Sequence, residues 1–149
     1  MSILFINGSP NQNGNTAKLA AELLKGKEYK TLNLTDYTIG AYGQNLPGDG
    51  LDTVINAMKQ AGTVVIGSPL YWHNICGSVR NVLDRFYGKV ESGKLSGRKL
   101  YFVFQGAAPE KWMLEAGEYT MKHFAALYGM TYGGMATNKA DAAKLGNNI

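Results

Sequence analysis

Apolar residues in this chain follow two alternating rhythms. Short continuous runs, "SILFIN" near the start, "TVVIG" from Thr63 and "KLYFVFQG" from Lys99, are too brief for helices and close on glycine. Such runs suit strands buried on both faces of a parallel sheet. "YKTLNL" adds a strand with Leu32 and Leu34 in alternation, and "TYGGMAT" a weaker fifth with glycines inside it. Between these runs the apolar spacing lengthens to that of a helix. Leu19, Leu23 and Leu24 mark one helical face starting near Asn15. Leu51, Val54, Ile55 and Met58 mark a second, with Asp49 as its N-cap and Gly62 as its stop. Val79, Val82, Leu83 and Phe86 form a third stripe, ended by Gly88. Residues 110–128 give a long fourth helix with Trp112, Ala116, Tyr119, Phe124 and Leu127 on its face. Residues 138–149, containing "KADAAKLG", read as one or two helical turns or a loose tail.

Five strands, each followed by a helical segment, require parallel pairing with right-handed crossovers. The expected fold is a doubly wound α/β sheet with helices on both faces, with residues 1–149 forming one domain. Ligands of such sheets bind beyond the carboxyl ends of the strands at a switch point. The informative loops are therefore residues 8–15, 68–77 and 105–110.

Composition narrows the classes. Apolar residues make up 45% of the chain and charged residues 17%, which argues against disorder. No apolar run has the length of a membrane span, and the N-terminus reads as a buried strand rather than a leader. The expectation is a cytoplasmic protein with no membrane partner. One cysteine, Cys76, and two histidines, His73 and His123, exclude a disulfide framework and a multi-cysteine cluster and argue against zinc. The net charge of +4 is spread along the chain without an aromatic-rich basic stripe, so no nucleic-acid partner is expected. It suits attraction of an anionic small molecule.

"INGSPNQNGNTAKLA", residues 6–20, has the look of a phosphate loop but fits neither common signature. It lacks the lysine of a hydrolase P-loop and the three-glycine spacing of a dinucleotide fingerprint. It is instead a run of small hydroxyl and amide residues at a helix N-terminus. Ser9, Asn11, Asn13, Asn15 and Thr16 carry donors, Gly14 gives the turn, and the helix dipole favours an anion. No cation or metal is needed, which suits binding a phosphate without transferring it. An ordinary N-cap with turn residues is the plainer alternative for any one of these positions.

The second concentration is "GSPLYWHNICGSVRNVLDRFYG". Tyr71 and Trp72 are adjacent aromatics in an expected surface loop, where they lose solvation unless they cover something flat. Pro69 stiffens the approach, Leu70 offers backbone groups, and Asn74 a carboxamide. Cys76 reads as a small buried residue, the alternative being a thiol activated by the dipole of the helix after it. His73 reads as exposed, the alternative being a contact to a bound ring. Asp84 with Arg85 reads as an ion pair at a helix end or a subunit contact.

Taken together, the two loops resemble the flavodoxin-like superfamily, in its NAD(P)H-dependent FMN reductase and quinone reductase branch. The matching residues are Gly8-Ser9-Pro10-Asn11 with Gly14-Asn15-Thr16, then Pro69, Tyr71, Arg80 and Asp84-Arg85. The resemblance implies a five-stranded sheet of order 2-1-3-4-5. It implies FMN, with the phosphate at Ser9, Asn11, Gly14, Asn15 and Thr16. The isoalloxazine would lie along Pro69, Leu70, Tyr71, Trp72 and Asn74, with Gly106 and Ala107 closing the other edge. NADH or NADPH would be the electron donor, a small molecule the acceptor, and a homodimer the assembly. Asn11 stands where an arginine is common, and the segment "IGAYGQNLPGDG", which carries cysteines in some relatives, has none. No side chain is nominated as a catalytic acid or base. The expected activity is NAD(P)H-dependent reduction of a flavin, quinone or other acceptor, the alternatives being a flavodoxin-type electron carrier and a flavin-free regulator.

Overall fold

The computed structural model describes residues 2–149. Five parallel strands form the sheet: β1 (Ile3–Asn7), β2 (Lys30–Asn33), β3 (Thr63–Tyr71), β5 (Lys99–Gln105) and β6 (Thr131–Ala136), in the order β2-β1-β3-β5-β6. A two-residue strand, β4 (Asn74–Ile75), pairs antiparallel with the end of β3. Counting the parallel strands alone, the order is 2-1-3-4-5, as the resemblance implies.

Alternation along each strand divides the core. Leu4, Ile6, Val64, Ile66, Leu100, Phe102 and Phe104 face α2 (Leu51–Gln60), α3 (Gly77–Arg85) and α4 (Lys111–Leu127). Phe5, Val65, Tyr101 and Val103 face α1 (Asn15–Leu23) and α5 (Lys139–Gly146). Both faces of the central strands are dry, which is why these runs read as continuous rather than alternating.

Several sequence expectations are corrected. Leu34 is not in β2: it opens a 3-10 turn, Leu34–Asp36. The N-cap of α2 is Gly50, with Asp49 one residue earlier accepting the Leu51 N–H at 2.9 Å. The helix ends at Gln60, capped by Ala61 rather than stopped by Gly62. Along α4 the buried residues are Met113, Gly117, Met121, Phe124 and Ala125, while Trp112, Tyr119 and Leu127 face outward. The reason is Gly117. A Cβ there would lie 2.3 Å from the Phe104 ring, so the helix approaches the sheet along the side that lacks a side chain. For residues 138–149 the helical alternative holds and the loose tail does not: α5 spans Lys139–Gly146. Gly146 lets it close on α1, where a Cβ would meet the Leu23 carbonyl oxygen at 2.4 Å. That face of the sheet is thus covered by the chain itself.

Candidate functional site

β3 is longer than its apolar run. It continues through Ser68, Pro69 and Leu70 to Tyr71, turns, and returns as β4 with Tyr71 opposite Asn74. Residues 68–71, expected as loop, are therefore strand. β1 ends opposite Gly67, so Pro69 lies where β3 has lost that neighbour while it still pairs with Gln105 of β5. A residue without an N–H is tolerated there. The turn residues Trp72 and His73 have φ of 49° and 67°, the two left-handed positions of a tight hairpin. Asparagine and glycine are the usual occupants, and a bulky residue there is strained. Trp72 is 93% exposed, and His73 leans on the Trp112 ring with centroids 5.8 Å apart. Leu70, Trp72 and His73 face Gly106, Ala107 and Pro109 across a groove of about 250 Å3. Gly106 permits the approach, since a Cβ would come within 3.0 Å of Leu70 Cβ. Tyr71 is half exposed, and Asn74 turns its carboxamide oxygen to the Ile75 N–H at 2.8 Å.

At the carboxyl end of the neighbouring β1, the loop is shaped by a relay of side chains. The Ser9 N–H donates to Asn7 Oδ1 (3.1 Å), the Asn11 N–H to Ser9 Oγ (3.1 Å), and the Asn13 N–H to Asn11 Oδ1 (3.2 Å). Each is a local turn in which a short polar side chain accepts from the backbone two residues on. Asn7, fully buried, also donates to Asn33 Oδ1 at 3.1 Å, tying the loop to β2. From the other side, the Ser78 hydroxyl donates to the Gly8 carbonyl at 2.7 Å, and the Gly8 N–H donates to the Gly67 carbonyl at 2.9 Å.

Two consequences bear on ligand chemistry. Ser9 and Thr16 are buried, and each hydroxyl oxygen accepts an N–H: Ser9 from Asn11, Thr16 from Gln105 Nε2 at 3.0 Å. Neither hydroxyl donates to an acceptor among the described residues. Buried donors without acceptors cost about 1–3 kcal/mol each. The cap of α1, Gly14, supplies no side-chain bond, and the Asn15, Thr16 and Ala17 N–H groups donate to no loop carbonyl or side chain among the described residues. An anion at this helix end would satisfy both sets of donors, so a phosphate monoester fits. Asn15 is exposed and free to contribute. Asn11 is exposed, and its oxygen is committed to the loop.

Asn7 and Ser78 were not among the expected site residues, and Gln105 was expected only as the start of the loop 105–110, with no role of its own. Asn7 carried a visible sign, a polar residue at the end of an apolar run. Gln105 had none, because its partner Thr16 lies 89 positions away. Cys76 is buried at the start of α3, its Sγ 3.3 Å from Ser78 Oγ. Asp84 and Arg85 do not pair with each other: Asp84 meets Arg80 at 3.2 Å, and Arg85 meets Asp49 at 2.7 Å. Among the described residues no helix is long and apolar enough to cross a membrane.

The sheet order and the two loops at its carboxyl edge define a flavodoxin-like α/β protein. The chain belongs to the NADPH-dependent FMN reductase family, whose model matches residues 1–142. It is 35% identical over 97 residues to an iron-sulfur flavoprotein of Archaeoglobus fulgidus, covering 57% of this chain and 48% of that one. The chain spans about half the length of the curated relatives it matches. Among solved structures, the Trp repressor binding protein of Bacillus subtilis superposes with a TM-score of 0.79 at 21% identity, covering 97% of this chain and 98% of the other. An FMN-dependent NADH-azoreductase of Bacillus anthracis, solved in complex with FMN, gives 0.71 at 16%, with 99% and 95% covered. With Cys76 as the one cysteine of these 149 residues, they contain no ligand set for a cysteine-held cluster.

Proposed function

We propose that this chain binds FMN at the carboxyl edge of β1, β3 and β5 and is an NAD(P)H-dependent oxidoreductase acting on a small flat acceptor. The observation that carries the reading is the pair of buried hydroxyls, Ser9 and Thr16, whose protons lack acceptors beside an uncapped helix end. With Asn11, Gly14 and Asn15 they form the phosphate end. Pro69, Leu70, Tyr71, Trp72 and Asn74 form one side of the ring end, and Gly106 and Ala107 the other. Bound FMN would supply the hydride and electron exchange that the twenty side-chain types cannot. The residues of this chain would bind and orient the cofactor, with Trp72 and Ala107 on opposite walls of the groove that would hold its ring. No side chain at the site is assigned acid or base work.

The test is direct. Protein loaded with FMN is mixed with NADH or NADPH without air, and the flavin absorbance is followed. Rapid bleaching supports the reductase. Flavin that binds but is reduced by neither nucleotide would identify an electron carrier, and absence of any flavin affinity would overturn the site.

The assembly proposed is a homodimer through the outer faces of α3 and α4. Tyr87, Tyr119 and Leu127 are exposed there around a groove of about 230 Å3 that also contains Arg80, Asp84 and His123. Sedimentation velocity at micromolar concentration reads the outcome, and a monomer at all concentrations rejects it.

A further inference from the structure

Gln105 ends β5 on the same face as Val103 and Tyr101, beneath the first turn of α1. Its Nε2 donates to Thr16 Oγ1 at 3.0 Å, and its backbone is in register with Pro69, the first residue of the ring end. A buried hydroxyl whose oxygen accepts one hydrogen bond still has its own proton to donate, aimed away from that partner, and Thr16 is 0% exposed. Donation from the amide also polarises the O–H, strengthening it as a donor.

Resting on the FMN reading above, we infer that Gln105 is a positioning residue that fixes the Thr16 hydroxyl as a donor to the phosphate ester and so sets the preference for FMN over riboflavin. Gln105 acts through Thr16. The preference is therefore a property of the pair, and the two must couple. An acceptor-only side chain at 105 would reverse the arrangement by taking the Thr16 proton. Leucine at 105 would leave the hydroxyl free to rotate, and a hydroxyl proton in a weakly polar pocket no longer has one preferred direction.

The experiment measures dissociation constants of FMN and of riboflavin by flavin fluorescence for the wild-type protein and for Gln105→Leu, Gln105→Glu, Thr16→Val and the Leu/Val double variant. Thermal melting checks that each variant is folded. The expected result is that Gln105→Leu lowers the FMN-to-riboflavin affinity ratio roughly tenfold, the scale of one charge-assisted hydrogen bond. Riboflavin affinity itself stays within about twofold. Gln105→Glu, which keeps the shape, lowers the ratio at least as far, and it serves if the leucine variant does not fold. In the Thr16→Val background the leucine substitution changes the ratio by less than about twofold. An unchanged ratio in both Gln105 variants, or the same fall persisting without the Thr16 hydroxyl, overturns the inference while leaving the FMN reading standing. A wild-type chain that binds neither flavin removes both.

Discussion

Arg85 Nη1 lies 2.7 Å from Asp49 Oδ2 and 2.9 Å from the Gly40 carbonyl, clamping the long segment between β2 and α2 onto the end of α3. The carboxylate also accepts the N–H groups of Gly40 and Leu51, at 3.0 and 2.9 Å. Asn81 adds a bond to the Ile39 carbonyl at 3.3 Å. The hydrogen bond from Arg85 is the largest influence holding the Asp49 carboxyl well below the usual carboxylate range. Burial opposes it, and the two backbone N–H groups reinforce it.

This clamp gives stability a pH dependence of defined sign. A carboxylate whose pKa is depressed in the folded state contributes stability above its unfolded pKa, and that contribution fades as pH falls. The resistance of the wild type to urea is expected to fall progressively below about pH 4. Asp49→Asn should flatten that part of the profile and cost about 2 kcal/mol at pH 7, because Arg85 is left without its partner. A parallel pair of profiles would show that the clamp contributes nothing.

Removing both orphan hydroxyl protons, in Ser9→Ala with Thr16→Val, should weaken FMN by roughly a hundredfold or more, since each bond to a charged group is worth about 1.5–3 kcal/mol. Riboflavin binding should change little. Isothermal titration with both ligands reads this, and equal losses for the two would place the phosphate elsewhere.

Gly8 has no room for a side chain. A Cβ would lie 2.3 Å from Val79 Cγ2 and 2.9 Å from the Gly67 carbonyl oxygen. Gly8→Ala should destabilise the fold by about 2 kcal/mol through forced separation of β1 from α3. Denaturant midpoints measure it, and a neutral result would mean that the loop re-forms at no cost.

The hairpin tip stores strain that a smaller residue would release. His73→Gly should raise stability by about 0.5–1 kcal/mol, because a left-handed backbone position costs glycine least. A lower melting temperature would show instead that the His73–Trp112 contact outweighs the strain.

The strand and helix order was legible because burial on two faces leaves unbroken apolar runs, as in "TVVIG" and "KLYFVFQG". The donor-rich loop ahead of α1 was legible for a similar reason, its donors being neighbours in the chain. Harder to read were features decided by distant contacts. The buried stripe of α4 and the exposed stripe of Trp112, Tyr119 and Leu127 are both apolar at helical spacing, and only the Phe104 ring beside Gly117 chooses between them. The β3–β4 hairpin was hidden because Trp72-His73 is not a favoured turn pair. Gln105 carries no local sign of its bond to Thr16.

One property of β3 reaches beyond the hairpin it forms. The strand that bears Tyr71 at its tip is the middle strand of the sheet, bonded to β1 and β5 along its inner half. Amides at that inner half are expected to exchange with solvent only on global unfolding. The aromatic tip is thus carried by a strand with sheet partners on both sides, and the segment facing it, residues 106–110, lies beyond the end of β5 with no such anchor in the sheet. Any widening of the groove to admit a bulkier guest will be borne by that opposite wall.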